Sequence, residues 1–236
     1  MNNVLEIKNL NKKFKNKLVL DNLNLTLKEN KIVGILGPNG SGKTTLLKII
    51  AGLSKENSGE ILIKGMKPST KTKAIVSYLS DKNFIDNSLK VYQAINLYND
   101  FFDFDLNKAI RLLGEMKLDS NVEIASLSKG MKEKLFLILT LSRNAKIFIL
   151  DEPIAGVDVI TRDQILNLII DNVLENSTII VTTHLIRDIE RIFDEVAFLK
   201  DGKIDKVHSV DELRENLGLT IEDLYKETFG EGDINA

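Results

Sequence analysis

The residues Gly37-Pro38-Asn39-Gly40-Ser41-Gly42-Lys43-Thr44-Thr45 combine a glycine-rich turn with one lysine and three hydroxyls. That combination suits a polyphosphate. Glycines let backbone N–H groups converge on phosphate oxygens without Cβ obstruction, and a helix beginning there adds its partial positive charge. Lys43 has the reach for β- and γ-phosphates, and the Thr44 hydroxyl is a hard ligand for Mg2+. The flanks agree with this reading. Ile32-Val33-Gly34-Ile35-Leu36 reads as a buried strand before the turn, and Leu46-Leu47-Lys48-Ile49-Ile50-Ala51 as a helix after it. A chance match to G-x-x-x-x-G-K-[ST] carries no such flanks, so the expectation is a site for ATP or GTP.

A second group is acidic. Ile147-Phe148-Ile149-Leu150-Asp151-Glu152 is an apolar strand ending in two carboxylates. At the tip of a strand beside a phosphate loop, Asp151 can hold Mg2+ and Glu152 can accept a proton from, or orient, an attacking water. Taken alone, the pair also fits two solvated acids at a strand end. Leu127-Ser128-Lys129-Gly130-Met131 places Ser128 where a helix N-cap belongs. A serine hydroxyl at a helix N-terminus binds anions, or simply caps the helix. His184, after Thr182 and Thr183, ends another apolar run; by itself it fits a plain surface or core histidine.

The elements that must position these groups follow from hydrophobic spacing. Leu5, Ile7, Leu10, then Leu18, Leu20, Leu23, Leu25 and Leu27 fall at largely alternating positions, which predicts a half-exposed antiparallel hairpin. Residues 59–65 add a strand to it, and 74–79 form a short apolar strand ending at Ser80-Asp81. From 88 to about 118 the period turns helical: Val91, Ile95 and Tyr98 share one face, and a second helix begins near Asp105. Ser128 opens another, with Met131, Leu135, Ile138 and Leu139 at helical spacing. Strands return at 146–150 and 178–182, separated by a helix over 161–174. A hairpin joins 196–200 to 203–207 through Asp201-Gly202. Ser209 with Glu212 predicts a capping box, and 220–229 a further helix. This order predicts an α/β fold with a mainly parallel sheet, an N-terminal antiparallel β-subdomain and a helical insertion. The expected divisions are a core of 1–82 and 145–208, a helical subdomain of 83–144 and a C-terminal helical tail of 209–236.

Composition narrows the classes. The chain has 236 residues, enough for one larger domain or two packed subdomains. A net charge of -2 gives no basic footprint for nucleic acid or an anionic membrane surface. The absence of cysteine excludes disulfides and thiolate metal sites and fits a reducing cytosol. Glu6, Lys8, Lys12 and Lys13 leave no apolar signal-peptide core, and no apolar run approaches the ~20 residues of a membrane helix. The expectation is a soluble, cytoplasmic protein with one nucleotide site per chain.

The loop, LSKGM, ILDEP and Thr182-Thr183-His184 occur in an order and spacing that resembles the ATP-binding subunit of ABC transporters, a group of P-loop NTPases. The resemblance runs from about residue 5 to 207 and is nearest to bacterial ABC-2-type export subunits, which serve separate multi-span membrane proteins. It implies an ATPase that uses ATP and Mg2+. Residues 37–45 become the Walker A loop, Asp151 the Walker B aspartate and Glu152 the catalytic base. Ser128 and Gly130 match the signature segment, Asp158 in Ala155-Gly156-Val157-Asp158 the D-loop acid, and His184 the switch histidine. Phe14 resembles the aromatic that stacks on adenine, although it also fits a strand-end core residue. Two departures stand out. Lys129 and Met131 replace the usual glycine and glutamine of the signature; Lys129 either assists charge neutralisation or obstructs backbone approach. Asp81 occupies the position of the Q-loop glutamine, where it can ligate Mg2+ but cannot donate a hydrogen bond, or serves only as a turn residue. The resemblance further implies a head-to-tail pair of ATP-binding subunits, two copies or a copy with a paralogue. It implies a multi-span permease docked near Asp81 and the helical insertion, export, and a place on the inner face of the cell membrane. A soluble ABC-type ATPase that assists assembly, and a nucleotide-dependent binding switch, are the competing readings.

Overall fold

The computed structural model describes residues 2–81, 85–172 and 177–230. Strands β1 (Asn3–Phe14) and β2 (Lys17–Lys28) form the expected antiparallel hairpin. Strand β3 (Ile32–Leu36) leads into the phosphate loop and helix α1 (Lys43–Ile50), and β4 (Ser58–Ile63) returns to pair antiparallel with β1. Next come α2 (Thr70–Ala74), β5 (Val76–Leu79), α3 (Val91–Phe101), α4 (Leu106–Glu115) and α5 (Lys129–Leu141). Strand β6 (Ile147–Asp151), α6 (Val159–Asp171), β7 (Thr178–Thr183) and α7 (Ile186–Ile189) follow. Strands β8 (Glu195–Lys200) and β9 (Lys203–Ser209), then α8 (Val210–Glu212) and α9 (Ile221–Phe229), complete the order.

One sheet has the order β2-β1-β4 and is antiparallel. The other runs β5-β6-β7-β3-β8-β9 and is parallel except for β9. Every residue of β3, β6 and β7 is buried, as strands covered on both faces must be. Their alternation splits the core in two. Leu36, Phe148, Leu150, Ile179 and Val181 face the layer formed by α3 to α6, while Val33, Ile35, Ile147, Ile149 and Ile180 face α1 and the antiparallel sheet. The tips of β3, β6 and β7 thus meet at one edge, which is where a doubly wound sheet holds its ligands.

Three sequence expectations need correction. The strand expected over 74–79 begins only at Val76: Ser69 caps a short helix through Thr72, and Ala74 ends it. The helix expected from 161 begins at Val159, because Asp158 caps it by accepting the Thr161 N–H at 3.0 Å. The Ser209 hydroxyl accepts the Glu212 N–H, but only α8 follows before the chain passes into a wider turn over Leu213–Leu217. Leu174, Lys82 and the ends of the chain at 1 and 231–236 lie outside the described residues. Among the described residues, no helix is long and apolar enough to cross a membrane.

Candidate nucleotide site

The loop after β3 is shaped by its glycines. A Cβ on Gly37 would come within 2.5 Å of the Leu199 carbonyl, so β8 passes too close for any other residue. Gly42 caps α1 at φ 110°, a left-handed conformation that glycine takes without strain. The turn sets the N-terminus of α1 facing a cleft of 480 Å³ lined by Phe14, Lys17, Asn39, Gly40, Gly42, Lys43, Thr44, Thr45, Asp81, Asp151, Glu152 and His184, among others.

Lys43 is buried and its ammonium donates to the Gly37 carbonyl at 2.6 Å and the Pro38 carbonyl at 3.0 Å. Burial pushes its pKa down, while Glu152 and Asp151 pull it up. Asp151, at the tip of β6, is held from three sides. It accepts from Thr182 at 2.7 Å, Tyr78 at 3.2 Å and Thr44 at 3.4 Å. Burial, and then Asp151 itself, push the Tyr78 phenol well above its usual range, so it stays a donor. Glu152 follows at φ 55°, a left-handed conformation that costs a non-glycine residue about 1 kcal/mol or more. Its N–H is fixed on the Thr182 carbonyl at 3.0 Å, and Oε2 lies 2.9 Å from Nδ1 of His184. An ionised carboxylate can only accept, so Nδ1 carries the proton of that hydrogen bond.

The structure therefore gathers the loop, Phe14, Asp81, Asp151, Glu152 and His184 around one cleft. Phe14 is 51% exposed at the end of β1, with the Lys12 ammonium 4.8 Å from its ring centroid. Ser128, Lys129, Gly130, Met131 and Asp158 do not line that cleft. They form a separate face. Ser128 caps α5 by accepting the Met131 N–H at 3.3 Å. Gly130 lies against Thr161 of α6, with room for no larger residue unless Thr161 shifts. The Lys129 ammonium sits over Gly156, so it turns toward the loop that follows Glu152. The Met131 side chain packs on the core below α5. Sequence reasoning assigned no role to Tyr78 or Thr182 as partners of Asp151. The signal for Thr182 was present: strands β6 and β7 in parallel register set Asp151 beside it.

A glycine-rich loop at a helix N-terminus, with a buried lysine inside it and an aspartate at a neighbouring strand tip, defines a P-loop nucleoside triphosphatase. The sequence profile of the ABC transporter family matches residues 20–155, more than half of the chain, so the chain belongs to that family. It is an ATP-binding, ATP-hydrolysing subunit of that type. The ABC transporter ATP-binding protein YtrB of Bacillus subtilis (strain 168) is 33% identical over 216 residues, 90% of this chain and 74% of that one. The lantibiotic transport ATP-binding protein SrtF of Streptococcus pyogenes is 28% identical over 85% of this chain and 89% of its own. A solved bacterial ABC transporter cassette, in dimeric form, superposes with a TM-score of 0.75 at 25% identity, covering 87% of this chain and 98% of that one.

Proposed function

We propose that two such subunits close head to tail on ATP and drive a separate multi-span permease for export, from the cytoplasmic face of the membrane. The observation that carries this reading is the 2.9 Å approach of Glu152 and His184 beside the phosphate loop, with Ser128 and Gly130 on a different face. One chain thus offers half of each nucleotide site. Residues 37–45 of one subunit hold the triphosphate, Phe14 stacks on adenine, and Ser128, Lys129, Gly130, Met131 and Asp158 of the partner form the closing side. Lys43 exchanges the Gly37 and Pro38 carbonyls for phosphate oxygens. Glu152 accepts a proton from the attacking water, and His184 orients that carboxylate and reads the γ-phosphate.

A hydroxyl and a carboxylate are hard oxygen donors that suit Mg2+, and Thr44 and Asp151 stand 3.4 Å apart. We assign the ion to Thr44 and Asp151, with Asp81 at the same cleft; when bound, it neutralises triphosphate charge. Loss of the γ-phosphate removes contacts on both sides, so the closed dimer relaxes open. For the permease, the supporting feature is a groove of 720 Å³ lined by Leu53, Tyr78, Asp81, Leu97, Phe101 and Phe102, beside the nucleotide cleft. Phe101 is 74% exposed there. A transport role is supported by the likeness to the lantibiotic transport protein. The assembly-ATPase and switch readings have no such support.

Two measurements test the proposal. Glu152→Gln keeps ATP affinity and slows turnover by at least about tenfold; near-normal ATPase activity in that variant sinks Glu152 as the base. Phe101→Asp keeps ATP affinity but loses the multi-span protein that copurifies with the tagged wild type from gently solubilised membranes. Capture of a soluble partner instead returns the assembly reading.

A further inference from the structure

The segment that follows His184 is bracketed by ion pairs. Helix α7 has four residues, too few to hold its shape alone. Ile186 and Ile189 are buried, and Arg187, Asp188 and Arg191 each pair with a residue of another helix. Asp188 meets Arg162 of α6, and Arg191 meets Asp163 of α6 at 2.7 Å. Arg187 turns the other way, to α9. Both Glu222 oxygens accept from its guanidinium, Oε2 from Nε and Oε1 from Nη2 at 2.6 Å. Lys226 adds a third cationic contact to Glu222 at 2.8 Å. These donors hold the Glu222 carboxyl down at about 2, so the pair is fully charged throughout the neutral range.

Helix α9 is itself well anchored. Thr220 and Asp223 form a reciprocal capping box at its start. Ile221 and Phe229 are buried, the tilted rings of Tyr225 and Phe229 lie with centroids 4.5 Å apart, and both meet Phe198 of β8 edge-on. At its far end the Lys200 ammonium donates to the Thr228 carbonyl at 2.6 Å. A fixed helix therefore grips, through one planar two-point contact, a residue three positions after the histidine that meets Glu152.

We propose that Glu222 is a positioning residue for ATP hydrolysis: by gripping Arg187 it fixes residues 185–189 and so sets His184 against Glu152. This rests on the assignment of Glu152 and His184 to the reaction. Glu222 lies outside the nucleotide cleft, so its effect falls on turnover rather than on ATP binding. Arg187 is 75% exposed in its side chain, and exposed pairs shift equilibria by only about twofold to fivefold. The grip biases a local arrangement and does not hold the fold.

The test uses the full chain with Glu222→Gln, Arg187→Glu and the double exchange Arg187→Glu with Glu222→Arg. We expect Glu222→Gln to lower kcat by about twofold to fivefold with KM for ATP unchanged, and 0.5 M salt to bring the wild type toward the variant. The double exchange restores most of the loss that either single change causes. Hydrogen exchange at residues 185–189 accelerates in Glu222→Gln while residues 43–50 stay protected. Wild-type kcat in Glu222→Gln at low salt, or a double exchange no better than the singles, overturns the proposal. Unchanged exchange at 185–189 overturns it independently of catalysis. A wild type without turnover, whose exchange pattern nevertheless responds to Glu222→Gln, instead removes the catalytic reading of His184 and leaves the grip in place.

Discussion

Lys43 carries a charge in a place that does not favour one. Burial lowers its pKa from 10.5, and its ammonium is satisfied by two loop carbonyls. A triphosphate replaces neutral acceptors with anionic ones, so the same ammonium gains a direct Coulombic attraction. Lys43→Ala is therefore expected to weaken ATP binding by about tenfold to a hundredfold, read by calorimetry. Unchanged affinity would refute the assignment. The pH dependence has a definite sign. Bound phosphate raises the pKa of a lysine that burial has lowered, so the cation is the binding form. Affinity falls as pH rises through the depressed value, earlier than an ordinary lysine near 10.5 allows. The same affinity titrated in Lys43→Ala loses this alkaline limb. Lys43 was legible in the sequence because its motif is local, whereas the Arg187–Glu222 pair spans 35 positions on two exposed surfaces and leaves no local trace.

At the scale of elements, α5 poses a question that one substitution can divide. Ser128 caps the helix, and the same hydroxyl belongs to the face proposed to close on the partner's nucleotide. Aspartate caps a helix as well as serine does and suits the dipole there, but it repels a triphosphate. Ser128→Asp should hold the melting temperature within ~2 °C of the wild type and abolish ATP-dependent dimerisation. Ser128→Ala should lower stability by about 0.5–1 kcal/mol. Dimerisation that survives Ser128→Asp would reduce Ser128 to a cap. What the sequence disclosed among the elements follows the same physics. Strands β3, β6 and β7 were plain because burial on both faces makes them continuously apolar. Helix α2 was not, because Thr-Lys-Thr-Lys has no apolar period and runs straight into Ile75 and Val76. Its cap, Ser69 with Thr72, replaces the usual acidic partner by a hydroxyl. The exposed rings of Phe101 and Phe102 also escaped notice, since helical spacing alone reads aromatics as core.

For the whole molecule, the decisive feature is a face left unfinished. The N-termini of α5 and α6 and the loop between Glu152 and Asp158 pack together through Gly130 on Thr161 and Lys129 on Gly156. Directly beside Asp158, Val159 and Ile160 are 68% and 73% exposed in the first turn of α6. Neither serves the core of its own chain, and both flank the residues that a second subunit must meet if ATP is to be enclosed. Burying one such side chain stabilises by about 1.5–3 kcal/mol, and a two-fold pair of subunits buries each of them twice. Ile160→Glu, introduced into the slow Glu152→Gln chain, should therefore weaken ATP-dependent dimerisation by at least about tenfold. Sedimentation in the presence of Mg-ATP measures this, with ATP affinity and melting temperature of the monomer as controls. An unchanged dimer would place the contact elsewhere and separate this face from Ser128. A dimer lost together with the monomer's melting temperature would instead make Ile160 a structural residue, despite its exposure. The expected result, a stable ATP-binding monomer that no longer pairs, would tie hydrolysis to assembly: Glu152 and His184 reach a complete site only when this apolar face is covered by the second subunit.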